Sequence, residues 1–284
     1  MQIRTRAPRP PRVVVLLPRR RGSGRSRSSR SRGSKGSGSR ASRASRRRGF
    51  KLDVESVSAE VARQVAERLG LDYYGLSPSD IRDLVADIVQ GIAANRSTKP
   101  SIESLVKNIM RNKEAFLKGL AAKLVERGPP YSVEQLELIV SAAPEVAGRA
   151  APMLYHEARR LGADHIVEAL RDLWNRYGRP TPIRCPRCGF NAVAPDLTCI
   201  VCGASLSEEE VKKSIGFEGM LESFARRSPP QLVREALRAG YVVVDNEVKP
   251  PSLWRPGEYG IQLFLSRRER LLLERILRER ASAP

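Results

Sequence analysis

Histidine is nearly absent from this chain, with two in 284 residues, and aromatic residues make up only 5%. So few imidazoles leave little for a histidine-based general base or metal centre. His156-Glu157 lacks the second histidine of a His-Glu-x-x-His site, because position 160 is arginine, and His156 and His165 are read as helix-surface or packing residues. No segment matches Gly-x-x-x-x-Gly-Lys-Ser/Thr or Gly-x-Gly-x-x-Gly, so neither standard phosphate-cradling loop is present. Long apolar runs are missing too. Val13 to Leu17 is five residues and Pro18 ends it, too short for a bilayer span or the apolar region of a secretory signal. The carboxylate run Glu208-Glu209-Glu210 falls in a helix first turn, where it complements the helix dipole. These absences point to a non-enzymatic, cytoplasmic protein with no membrane partner and no small-molecule substrate.

Acidic residues are missing from one region only. Residues 1–49 hold 17 of the 51 Lys and Arg and no Asp or Glu. The remaining 34 basic residues face 31 acidic ones, a balance of only +3, so the excess behind the formal charge of +20 belongs to a tail. Its Arg, Ser, Gly and Pro cannot offset ordering entropy by burial, and the tail is expected to be a disordered, polyanion-binding arm. A second reading stays open: residues 1–49 are translated from a misassigned start, the true one being a non-Met start near 50–54. Asn and Gln are scarce, twelve in all, while charged residues reach 29%, a balance in keeping with a thermophile.

Residues 50–178 read as a helical bundle of about six helices. Val54, Val57, Val61 and Val65 recur at helical spacing, as do Ile81, Leu84, Val85, Ile88 and Ile92 behind the Ser77-Pro78 start. Ser101 opens a helix bearing Ile102, Leu105, Val106 and Ile109, continued by Phe116, Leu120 and Leu124. Ser132-Val133-Glu134-Gln135 has the capping-box form, and two more helices are expected over 145–161 and 164–177. Residues 206–284 form an α+β module. Ser207-Glu208-Glu209-Glu210 caps a short helix, helices follow near 218–226 and 231–239, and strands are expected at 241–244 and 260–264. Ser266-Arg267-Arg268-Glu269 caps a last helix. Taken together, the fold class is mainly α: a helical bundle, a small β cysteine module at 181–205 and a small α+β C-terminal module, preceded by the tail.

The four cysteines are Cys185-Pro-Arg-Cys188-Gly and, after ten residues, Cys199-Ile-Val-Cys202-Gly. Two cysteines separated by two residues can meet one ion from a single tight turn. A glycine after each pair lets the backbone take positive φ and approach the sulfur, and ten residues suffice for a hairpin between the turns. In a reducing compartment this spacing favours a metal over disulfides. A rubredoxin-like iron site would use similar turns but normally a longer insert, a dithiol redox pair would not need both halves, and unrelated buried cysteines would not show the double spacing. The motif resembles the zinc-ribbon family at all four ligand positions, Cys185, Cys188, Cys199 and Cys202, over about 25 residues. The resemblance implies one structural Zn ion, closed to substrate, at ~10 kcal/mol or more of binding energy. Zinc and four thiolates carry a formal charge of −2, which Arg184 and Arg187 can offset; these two arginines are either phosphate contacts or simply solvated.

Downstream, Arg238-Ala239-Gly240, Val242-Val243-Val244-Asp245-Asn246 and Pro256-Gly257-Glu258 follow one another with Gly240 suited to a left-handed helix end and Asp245-Asn246 to a tight hairpin turn. This order resembles the RNA-binding domain of ribosomal protein S-four over residues 217–264. The sequence departs from that family in Ser228-Pro229-Pro230, in a turn without its glycine, and in Glu222 on the first helix. The resemblance implies contacts to structured RNA from Arg234 and Arg238 on the second helix, with Arg226 and Arg227 at the end of the first. Tyr241 and Trp254 are either core residues or base-stacking ones. The expected function is therefore a zinc-containing RNA-binding protein associated with translation or the ribosome. Two alternatives stay open: a DNA-binding transcription regulator with 231–239 as recognition helix, and an adaptor that docks protein partners through ribbon and bundle.

Overall fold

The structure, a computed structural model, describes residues 53–94 and 99–282. The expected tail over 1–49 lies outside the described residues. Eight helices build the N-terminal bundle. Asp53 accepts a bond from the Ser56 amide to start α1 (Val54–Leu69), which buries Val61, Ala62, Val65 and Ala66 against α2 (Pro78–Ala94). α3 (Ile102–Arg111) and α4 (Lys113–Arg127) are separate helices with Asn112 between them. α5 (Val133–Ala142) begins at the complete Ser132/Gln135 capping box.

The helix expected over 145–161 is two, α6 (Pro144–Arg149) and α7 (Ala151–Arg160). Pro152 has no amide to bond the Gly148 carbonyl, and its ring crowds the preceding turn. α6 lies across α8 (Asp164–Tyr177) through Gly148, where a Cβ would stand 2.5 Å from the Leu173 oxygen and 2.8 Å from Tyr177 Cβ. Only glycine permits that approach.

After the cysteine segment come α9 (Glu208–Ile215), with the expected Ser207/Glu210 capping box, α10 (Phe217–Arg227) and α11 (Pro230–Ala239). Gly240 ends α11 in the left-handed conformation, as expected. β1 (Tyr241–Val244) is the central strand of an antiparallel sheet of order β2-β1-β3, between β2 (Val248–Lys249) and β3 (Ile261–Phe264). Val242 pairs with Leu263 and Val244 with Ile261, and all four are buried. The turn between β1 and β2 has three residues, Asp245 to Glu247. A two-residue primed turn needs positive φ at both central positions, and Asn246 does not adopt it. Instead the Asp245 carboxylate accepts the Glu247 amide at 2.8 Å and Lys249 Nζ at 2.7 Å. α12 (Arg267–Ser282) starts at Ser266, whose hydroxyl and amide exchange bonds with Glu269. Near its far end Arg280 reaches back to the Ala225 and Ser228 carbonyls at the end of α10.

One buried apolar cluster runs from Val61 in α1 to Ile276 in α12 and takes in the cysteine segment on the way. Bundle, ribbon and C-terminal module share that core. No described helix is long and apolar enough to cross a membrane.

Candidate metal centre and basic surface

The two Cys-x-x-Cys turns repeat one backbone pattern fourteen residues apart. In the first, the Gly189 amide bonds Cys185 O (2.9 Å) and the Cys185 amide bonds Phe190 O (2.8 Å). In the second, Gly203 bonds Cys199 O (2.8 Å) and Cys199 bonds Ala204 O (2.9 Å). Gly189 and Gly203 take φ of 77° and 69°, the left-handed turn that motivated glycine at both places. Single bridges continue each turn, Arg184 with Asn191 and Thr198 with Ser205. The insert closes as an irregular hairpin in which the Ala194 amide bonds Thr198 O at 2.7 Å.

This folding gathers the four sulfurs. Cys185 Sγ lies 3.9 Å from Cys202 Sγ, Cys188 Sγ lies 3.5 Å from Cys199 Sγ, and all four fall within 4.8 Å of one another. Four sulfurs ~2.3 Å from one ion at tetrahedral corners stand about 3.8 Å apart, so the set fits a single ion. Cys185, Cys188 and Cys199 are buried and Cys202 half-buried. Crowded sulfurs resist sharing negative charge. The Cys188–Cys199 hydrogen bond lowers the Cys199 thiol to about 5 and drives Cys188 up, while burial raises Cys202 to about 11. A bound cation would hold all four as thiolates in place of that proton sharing.

The turns are held from both sides by residues the sequence did not mark. Arg171 Nε, from α8, donates to Cys188 O at 3.0 Å, and Trp174 Nε1 donates to Asn191 O at 2.8 Å. From the C-terminal module, the Tyr259 hydroxyl donates to Val193 O at 2.6 Å, and burial pushes its phenol up to about 12. The two ribbon arginines are engaged close by. Arg184 Nε bonds Gly189 O at 2.9 Å, and Arg187 pairs with Glu210 of α9 at 3.2 Å. His156 is exposed, and His165, also exposed, faces Glu137 at 3.2 Å.

Of the four expected nucleic-acid contacts, Arg234 and Arg238 lie one turn apart on α11, both exposed, with Arg238 Nε 3.4 Å from Arg234 O. Arg226 is tied to Glu222 of its own helix at 2.8 Å. Arg227 is exposed at the mouth of a cleft that also reaches Asn246 and Val248. Further arginines form a group along the last helix: Arg267, Arg268, Arg275 and Arg278 line an open groove along α12 with Leu271, Glu218 and Glu279, and Arg268 pairs with Glu218 at 3.0 Å and Arg275 with Glu279 at 3.7 Å. Their spacing was present in the sequence, but only the structure separates Arg267 and Arg278 from the ion-paired Arg268 and Arg275 and from Arg270 and Arg280, which bond backbone carbonyls. No protein-family model, no curated protein and no solved structure matches this chain.

Proposed function

We propose that this chain is a non-enzymatic zinc protein that binds structured RNA through its C-terminal module, in association with translation. Zinc is the ion this reading assigns to Cys185, Cys188, Cys199 and Cys202, because a filled d shell imposes no geometry of its own on four thiolates. A four-thiolate site leaves no open position for substrate, so its role is to hold residues 181–205 between bundle and module.

The observation that carries RNA binding is a set of exposed arginines in one module, Arg227, Arg234, Arg238, Arg267 and Arg278, which make no ion pair among the described residues. Guanidinium groups with no carboxylate partner can replace the counterions of a phosphate backbone, Arg238 while still bonding Arg234 O at 3.4 Å, and that release makes binding salt-dependent. These residues are spread over α10, α11 and α12. A major-groove reader concentrates its contacts on one helix, whereas folded RNA offers phosphates in several directions.

A second reading, duplex DNA, is favoured by the sheet that follows α11 directly, the order of a recognition helix and a wing. Binding of the full chain to a hairpin RNA and to duplex DNA across a salt series separates the two. Preference for RNA is expected, and replacing Arg234 and Arg238 by Ala should weaken binding and reduce the salt slope by about 2. Equal affinity for both nucleic acids, with no effect of the double substitution, refutes the proposal. Metal analysis of the purified chain should return one zinc per chain.

A further inference from the structure

The sheet has two faces of opposite character. Val242, Val244, Ile261 and Leu263 point into the core, and alternation puts Tyr241, Val243, Gln262 and Phe264 on the other side. Val243 is covered there, because Trp254 lies across Gly260: a Cβ on Gly260 would meet Val243 Cγ1 at 2.4 Å and Trp254 Nε1 at 2.8 Å. On the rest of that face Gln262 and Phe264 are exposed and Tyr241 is half-buried. Phe264 is 57% exposed and Trp254 36%, although buried aromatic side chains are what a small core uses first. The Tyr241 and Phe264 rings meet edge to face with centroids 6.1 Å apart. On its other side Tyr241 lines a cleft of about 280 Å³ with Trp254, Gln262, Pro195 and Pro251.

We propose that this face is a stacking site for unpaired bases of single-stranded RNA, with Phe264 and Tyr241 as one platform and the Trp254–Gln262 cleft as the other. The proposal rests on the RNA reading and names the part of the RNA this module takes. The aromatic rings supply π faces that any base can meet, and a base inside a duplex has no free face to offer. Gln262, exposed where it lines that cleft, carries both a donor and an acceptor for a base edge. The carboxylate nearest the platform, Glu208, accepts the Phe264 amide at 2.6 Å and is paired with Lys212 at 3.2 Å, and the other charges cited around the face are basic. Arg255 is exposed beside Trp254 in sequence, Arg267 is exposed just past the end of β3, and Arg270 lays its guanidinium over Gly240, next to Tyr241. An acidic peptide shares the charge but gains nothing from a row of rings separated by an amide.

The test uses the full chain, a short single-stranded oligouridylate and a hairpin RNA whose bases are paired. Trp254 should be quenched by the single strand, while Trp174, which is buried, gives a constant background; the Trp254→Phe variant should lose the quench. Phe264→Ala should weaken binding of the single strand by about 5- to 150-fold, the range for one lost base stack, and leave the paired RNA unchanged. Phe264→Leu keeps apolar area but no ring, so it should behave like Ala, and Phe264→Tyr should bind normally. Arg234→Ala with Arg238→Ala should instead weaken both RNAs. If Phe264→Leu binds the single strand as tightly as the unaltered chain, or an acidic peptide displaces it from Trp254, stacking is overturned while RNA binding by the arginines stands. If the unaltered chain binds neither RNA, both readings fall.

Discussion

A methyl group at Gly148 tests the packing that positions α8, the helix whose Arg171 and Trp174 grip the ribbon. Two effects oppose each other in Gly148→Ala. Alanine is favoured over glycine inside a helix by up to about 1 kcal/mol. Against this, the new Cβ would lie 2.5 Å from Leu173 O and 2.8 Å from Tyr177 Cβ. Ordinary contacts begin near 3.4 Å, and a helix carbonyl cannot swing aside as a side chain does, so α6 must lift from α8 by most of an ångström. Overpacking of that kind costs about 1–3 kcal/mol, and lifting α6 also opens the contact with Tyr177. The clash outweighs the gain, with a net loss of up to about 2 kcal/mol, or up to roughly 8 °C in Tm for a unit of this size. The internal control is Gly219→Ala in α10, where nothing lies within 4 Å of the new methyl; there the propensity gain stands alone and Tm should rise slightly. Thermal unfolding followed by circular dichroism reads both. A rise in Tm for Gly148→Ala equal to that for Gly219→Ala would refute the close approach of α6 to α8.

Other consequences concern the ribbon. Arg171→Met removes a donor to the backbone of Cys188, and loss of such a support should weaken metal retention by about 10-fold in competition with a chelator. Cys199→Ser should abolish stoichiometric metal binding and expose the ribbon to protease, with the far-ultraviolet helix signal of the bundle largely kept. Tyr259 titrates higher in the folded chain, about 12 against an ordinary value near 10, because burial disfavours the phenolate. The folded state therefore holds its proton more tightly, and the stability this supplies is full below pH ~10 and is lost as pH climbs toward 12. Tyr259→Phe should flatten that alkaline loss in a pH series of denaturant midpoints, and an unchanged alkaline limb would show that Tyr259 does not carry it.

Much of the local structure was legible in the sequence, and for one reason. Capping boxes at Ser132, Ser207 and Ser266, the left-handed stop at Gly240 and the paired Cys-x-x-Cys-Gly turns all close within three or four residues, where chain geometry leaves few choices. The spacing of the cysteines sufficed to forecast that four sulfurs would meet, since two identical turns need only a hairpin between them. Even locally there were limits. Asp245-Asn246 has turn-forming residues, but neither adopts the positive φ that a two-residue turn requires, and the Asp245 carboxylate settles a three-residue turn in its place.

The tertiary structure decided what lies far apart in the chain. Trp174 and Asn191 are seventeen residues apart and Tyr259 and Val193 sixty-six, and nothing at either end of such a pair announces the other. The same holds for arginine. Charge and spacing are alike for Arg226, Arg234, Arg278 and Arg280, yet one is spent on Glu222, one on backbone carbonyls, and two make no ion pair among the described residues. Sequence determined that this chain would be helical, with a four-sulfur turn pair and an excess of positive charge. Which charges and rings face solvent was fixed only by the packing of α8, the ribbon and the sheet around one core, because burial depends on neighbours that the folded chain alone brings together.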